Sequence, residues 1–479
     1  QNVAIGHNAM TSMTTGIQNV AIGADALKNS TGSGNVAIGR AAAQDTTIGV
    51  GNIAIGNACF MNNQTGQENT YVGNGAGYSS IYNGNVGIGH GALSNNIVDA
   101  NTAVGYMSLV NNTTGQHNTA LGTFTLEKNT TANENTAVGY HALKESTGGS
   151  NTALGSFALT KNTTGDSNVA IGYNALTALT TSQQNIAIGN SALSAITTGS
   201  GVSFGNDNIA IGFESQIASN GTSLSQSINN VSIGNQSLKT ITTGRSNTIF
   251  GAYGLQNAQT TSSYNTVIGC HAGFSTTGNC TNNILIGKSA LPSNNDATNQ
   301  IVIGTDTTGL GDNYAVIGNS DITRLYAAQD GAAVLYADAT INSSDRRLKK
   351  DIQESNIGLD FINELKPVEF RWIKKKENDT KKYGLIAQDI LETMNSHNIN
   401  SDDYSLVNYD NSTDRYGVDY TQLISPLINA IKELNENNKD LEQKYLESMK
   451  TIDAYKEENV KLNNNIKDIL ERLIKLENK

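Results

Sequence analysis

Asn-Val-Ala-Ile-Gly occupies residues 2–6, returns at 19–23 and 35–39, and keeps returning as Asn-x-Ala-Ile/Val-Gly at intervals of 16 or 17 residues. The anchors run through Asn2, Asn19, Asn35, Asn52, Asn69, Asn85, Asn101, Asn118, Asn135, Asn151, Asn168 and Asn185, and resume at Asn208, Asn230, Asn247, Asn265, Asn283 and Gln300, with a last echo at Tyr314–Gly318. Helical solenoids need ~33 or more residues per unit, so this period leaves room for one short strand per coil. The chain from residue 1 to about 318 is therefore expected to be a β-solenoid. With coils ~4.8 Å apart it makes a rod of roughly 90 Å.

Strand side chains alternate, so Val169 and Ile171 of Asn168-Val169-Ala170-Ile171-Gly172 share one face. That β-branched face is expected to fill the coil, with Ala on the opposite face close to a neighbouring subunit. The closing Gly supplies a bend at positive φ, and Thr-Thr-Gly, as in Thr14–Gly16 and Thr163–Gly165, supplies a second corner. The anchor amides are expected to stack as a ladder.

Composition narrows the function. The 48 glycines recur on the period instead of scattering, which separates this chain from disordered low-complexity sequence. A net charge of -11 without a basic patch argues against nucleic acid. Cys59, Cys270 and Cys280 show no disulfide or metal-binding spacing and read as small hydrophobes. No apolar run reaches the ~18 residues of a membrane span. Gln1 falls inside a repeat, so an N-terminal attachment segment is expected before it.

The repeats resemble the heads of trimeric adhesins with the YadA-like left-handed β-roll, which share the Val-Ala-Ile-Gly core. The resemblance implies a left-handed roll and a homotrimer. Calcium-binding rolls use Gly-Gly-x-Gly-x-Asp, which does not occur here, so no metal and no cofactor are expected. Rings follow the bend at about one per coil: Tyr106, Phe124, Tyr140, Phe157 and Tyr173. They read either as cross-coil packing or as a ladder for host glycans. His7, His90, His141 and His271 sit beside the bend without a second metal ligand in adjoining repeats. The period widens between Gly199 and Asn230, and the extra residues, Glu214 to Asn229 among them, are expected to form a loop for partner contact.

Beyond a neck at 319–342 the composition changes: 48 of the last 137 residues are charged, against 25 of the first 342. A helix over Asn356–Leu365 stops before Pro367, and Val368–Trp372 alternates as a strand. Tyr383–Gln388 leads from a strand into a helix through Met394, and strands follow at Ser405–Tyr409 and Arg415–Asp419. This small α+β unit over 343–422 gives way to a coiled coil over 423–479. Its apolar a and d positions include Leu427, Ile431, Leu434, Leu441, Tyr445, Ile452, Tyr455, Leu462, Ile466 and Ile469. Asn438 and Asn459 at a positions would fix its register.

Four motifs in order, Ser344–Ile352, Lys366–Trp372, Gly384–Asp389 and Val418–Ile424, resemble the endosialidase-type intramolecular chaperone family. Such domains trimerise, assist folding of the preceding β-structure and release themselves by cutting before the motif Ser. The resemblance implies a scissile bond at Ser343–Ser344, with Ser344 as nucleophile and Lys349 as base; the bond Asn342–Ser343 is the alternative. A Ser hydroxyl needs a base, and a Lys serves when burial or neighbouring cations such as Arg346, Arg347 and Lys350 lower its affinity for a proton. Asp345 would orient the arginines, Arg347 among them, or Lys349. On spacing alone Ser344 and Asp345 also read as caps of a helix over Arg346–Ile352.

The function these signs favour is a fibre on a virion that contacts a host receptor or glycan, with cell-surface or secreted placement as the alternative. The only enzyme activity expected is one self-cleavage per chain. A polysaccharide-degrading spike would need paired carboxylates, whereas Asp25, Asp45, Glu68, Glu127 and Glu145 fall at scattered repeat positions. An adhesin rod is the remaining alternative.

Overall fold

In the computed structural model the described residues are 1–195, 205–217, 227–241, 243–258, 261–274, 276–323, 325, 345–371, 381–410 and 414–478. The chain divides into two compact units, Gln1–Val334 and Leu335–Lys479.

Among its described residues the first unit carries 19 three-residue strands, β1 (Val3–Ile5) to β19 (Ala315–Ile317), one per coil, in a single parallel sheet. Each pairs in register with the next coil, as Thr102 with Thr119 and Ala103 with Ala120. The expected β-solenoid is thus present. Its inside and outside are the reverse of the expectation. The central Ala of the strand is fully buried within one chain (Ala21, Ala103, Ala137, Ala170), while the flanking Val, Ile and Leu lean outward. Leu121 and Leu154 remain 47% exposed.

The reason is the width of the coil. A turn of 16 or 17 residues leaves little space beneath the sheet, and a second buried row fills it from across: Leu93, Leu109, Leu126, Leu143, Leu159, Leu176 and Leu193. Ala facing Leu fits where Ile facing Leu would overfill the coil. Where the strand centre is large, the position beside that row shrinks: Leu255 stays buried in the Ile249 coil, but Gly254 stands where other coils carry Ala142 or Ala158, and its added Cβ would sit 2.6 Å from the Ile249 side chain.

Tyr71 is the extreme case. It is fully buried at the centre of β5 (Thr70–Val72), stacks on Phe60 at 4.9 Å, and donates its hydroxyl to Ser80 Oγ at 2.8 Å. Room for it comes from Gly87 in the next coil, where a Cβ would lie 2.5 Å from the ring. Other coils carry Ala there. Gly87→Ala is expected to destabilise the solenoid by about 1–3 kcal/mol through overpacking. Gly77 stands where neighbouring coils carry the buried Leu, and its Cβ too would lie 2.6 Å from the ring, so the triple variant Tyr71→Ala/Gly77→Leu/Gly87→Ala restores the ordinary coil and should recover most of it. Thermal melting followed by circular dichroism would read both, and a triple variant no more stable than Gly87→Ala would refute the coupling.

The anchor asparagines form the expected ladder. Asn118 Oδ1 accepts from the Asn135 backbone N–H at 3.0 Å, and Asn118 Nδ2 donates to the Ala132 carbonyl at 2.9 Å. A second buried amide ladder, not foreseen, runs at the other corner, where Asn129 Nδ2 donates to Asn112 Oδ1 at 3.0 Å. The Thr-Thr-Gly segments bend the chain at the second corner, as expected. Gly115 of Thr113-Thr114-Gly115 has no left-handed φ; it is Gly because a Cβ would strike the Ala132 carbonyl of the next coil. The left-handed positions are ordinary residues, such as Phe124 (φ 56°), Leu126 (φ 48°) and Glu134 (φ 60°). Each costs about 1–2 kcal/mol, and the inter-coil ladders offset it.

Between Asn185 and Asn208 the interval grows to 23 residues, and between Asn208 and Asn230 to 22. Residues 196–204 and 218–226 of the expected loop, like most of the neck, lie outside the described residues. Glu214 within that stretch is held by Lys239 at 2.7 Å.

In the second unit, a short 3-10 turn (Arg346–Leu348) is followed by α1 (Leu359–Glu364), β20 (Val368–Phe370), β21 (Lys382–Gly384), α2 (Ala387–Ser396), β22 (Val407–Asp410), β23 (Arg415–Val418) and α3 (Ile424–Glu477). The strands form two antiparallel hairpins, β20 with β21 and β22 with β23. Phe361, Ile390, Met394, Leu406, Val407 and Leu423 make the core. Helix α1 begins later than expected because Gly358 precedes it and its first N–H, from Leu359, is capped by Glu433 of α3 at 2.8 Å. Asn429 of α3 donates to the Ser355 and Ile357 carbonyls. The 54 residues of α3 span ~80 Å. Its heptad residues, from Leu427 to Leu476, are exposed in the single chain. Among the described residues, no helix is long and apolar enough to cross a membrane.

Candidate autoproteolytic site and the aromatic row

Asp345 begins the described part of the seam. Its carboxylate accepts from the Arg347 backbone N–H at 2.9 Å, capping the 3-10 turn, and pairs with the Arg347 guanidinium, Nη2 to Oδ2 at 2.6 Å. The Arg347 side chain beside it holds the Asp345 carboxyl below the usual range. Protonating Asp345 would therefore release the turn only as pH falls through that lowered value; at neutral pH the pair is intact. Of the two partners open to Asp345, the structure pairs it with Arg347.

The turn is one short 3-10 element and does not continue as a helix to Ile352. Lys349 follows it with extended backbone, φ -112° and ψ 141°, and its N–H returns to the Arg346 carbonyl at 3.2 Å. Lys349 thus follows the Asp345–Arg347 pair directly and lies at the surface of the single chain. Ser343 and Ser344 lie outside the described residues. A Lys acts as a base when burial or neighbouring cations lower its affinity for a proton.

On the solenoid, seven rings touch in series across six coils. His90 stacks on Tyr106 at 5.2 Å, and Tyr106 meets Phe124 edge-on at 5.3 Å. Phe124 meets His141, Tyr140 stacks on His141 at 3.8 Å, Tyr140 meets Phe157 at 5.3 Å and Phe157 meets Tyr173 at 6.1 Å. A shorter set joins Tyr253, His271 and Phe274. The histidines thus serve as ring partners. Burial beside the rings, with Lys144 next to it, lowers the proton affinity of His141. The stacking of His90, His141 and His271 on tyrosines went unforeseen; the signal was their place on the same bend as the tyrosines.

Residues 344–399 match the family described as chaperone of endosialidase. A search of curated proteins returned no match to the chain.

Proposed function

We propose, taking the chaperone-of-endosialidase segment at 344–399 as premise, that the chain is a tail-fibre or surface-fibre protein of phage type that attaches its particle to a host. The solenoid, over 1–318, is the lasting rod, joined by a neck to the α+β chaperone over 343–422 and the coiled coil over 423–479. The observation that carries this reading is a pair of uncovered apolar seams in one chain: outward Val, Ile and Leu along the coils, and the exposed a/d stripe of α3. Seams of this length call for further copies of the same chain. Three copies of α3 would set the register that near-identical coils leave ambiguous.

In the assembled trimer a neighbouring chain would cover Lys349 and let it accept the Ser344 hydroxyl proton. Ser344 Oγ then attacks the Ser343 carbonyl carbon, the Ser343–Ser344 peptide bond breaks as the Ser344 nitrogen takes up a proton, and an ester remains. Water hydrolyses that ester to a Ser343 carboxylate and the free Ser344 hydroxyl. The rod stays on a virion or a cell surface.

Sedimentation equilibrium tests the assembly. The full-length chain carrying Ser344→Ala should give three times the chain mass of 50.6 kDa. Adding Ile452→Asp and Tyr455→Asp in the α3 seam should collapse it to monomer and aggregate. A monodisperse monomer from the parent chain would overturn the proposal.

A further inference from the structure

Among the rings of the solenoid, one position alternates. The residue after the closing Gly is Tyr106, Thr123, Tyr140, Ser156 and Tyr173 in five successive coils. The tyrosines stand 47%, 45% and 50% exposed, while Thr123, Ser156 and the intervening Phe124 and Phe157 sit lower. The surface is thus a corrugation with a ring crest every second coil and a hydroxyl between crests. Cross-coil packing accounts for Phe124 and Phe157, whose edges are covered by tyrosine rings. It leaves about half of each of the three tyrosines uncovered.

The flanks carry paired charges. Lys144 lies 3.5 Å from Glu127 and 4.0 Å from Glu145, and Lys128 pairs with Glu145. Cations answered by carboxylates leave the row without a net field, which disfavours an acidic polymer and suits a neutral one.

We propose that Tyr106, Tyr140 and Tyr173 form a binding strip for a neutral, extended polysaccharide of equatorially linked pyranoses lying along the rod axis. A pyranose presents an apolar C–H face that stacks on an aromatic ring, and its hydroxyls suit the polar tips of Tyr, Thr and Ser. Two coil rises come to ~9.6 Å, of the same order as the ~10 Å two-residue repeat of an extended β-(1→4)-linked chain. Every second sugar would meet a tyrosine, and the sugars between would meet Thr123 and Ser156. The strip rests on the attachment reading above and names the chemical class of what is attached.

Isothermal titration of the purified trimer with cellohexaose and with chitohexaose tests it. Binding to at least one is expected, weakened about tenfold by Tyr140→Ala and abolished by the Tyr106→Ala/Tyr140→Ala/Tyr173→Ala triple variant. Tyrosine-to-phenylalanine changes at the same sites should keep most of it, because the ring face stays. Tyr264→Ala, on an exposed ring away from the row, should leave binding unchanged. Absence of binding to both oligosaccharides, or triple-variant binding equal to the parent, would overturn the strip. Adsorption of labelled trimer to a panel of bacterial strains separates the two readings. Equal adsorption by parent and triple variant overturns the strip and keeps attachment, whereas cellohexaose binding without adsorption to any strain keeps the strip and overturns attachment.

Discussion

Ser344→Ala is expected to leave the chain at its full 50.6 kDa, while the parent chain yields two fragments, one ending at Ser343 and one beginning at Ser344. Removing a nucleophile that acts in one unit with its base costs ~10⁴-fold or more in rate, which on a gel is the absence of product. Lys349→Arg should be equally inert, since a guanidinium cannot give up its proton near neutrality. Mass spectrometry of the new N-terminus fixes the bond. A start at Ser343 would move the cut to Asn342–Ser343, and undiminished cutting of the Ser344→Ala chain would end the proposal. Arg347→Ala is a milder probe, because it removes the partner that holds Asp345 and shapes the turn without touching either reacting group.

The second large effect belongs to the rod. Gly105 has φ 141°, and a Cβ there would collide with the Gly122 carbonyl of the next coil. Gly105→Val places a β-branched residue in a region closed to it and breaks the stacking of two coils at once, at a cost above ~4 kcal/mol. The expected result is loss of soluble protein, or a melting temperature lowered well beyond the Gly87→Ala change. Gly84 is the control. Its φ is 64°, nothing lies within 4 Å of an added Cβ, and other coils place Gln18, Glu68 or His117 in the same left-handed position. Gly84→Asn should change stability by less than ~1 kcal/mol. Equal melting of the two variants would refute the steric account.

Those two glycines show what a sequence can and cannot tell. They stand in different coils, and both look like turn residues. Only the distance to the neighbouring carbonyl, which depends on how coils stack, makes one indispensable. The period, the strand positions, the anchor ladder and the long heptad helix were legible because each rests on local spacing. The facing of the strand was not. Alternation says that Val169 and Ile171 share a side and Ala170 takes the other, but which side is inside depends on coil width, and hence on the Leu row across the coil. That row was readable, since Leu126 and Leu143 recur five residues after the last strand residue in their coils.

At the seam, sequence reasoning brought Asp345, Arg347 and Lys349 together on one short stretch, and the structure ties the first two. It left the reach of the turn too long because capping residues at 344 and 345 suggest a helix, while the chain after Lys349 makes no helical hydrogen bonds. The aromatic row was legible as a row. Its alternation of crest and hydroxyl needed the ring contacts, because Phe124 and Phe157 occupy a neighbouring position on the bend and turn edge-on beneath the tyrosines.

Tyr71 has a meaning beyond its own coil. In a ladder of near-identical rungs, sliding one coil past its neighbour leaves most pairings unchanged, as a ruler without numerals can be shifted by one division unnoticed. Tyr71 faces Gly87 in register, and a slip by one coil would set it against Ala103, where a methyl already occupies the space. That single bulky side chain therefore acts as a numeral on the ruler, marking one place where the winding chain can tell which turn it has reached.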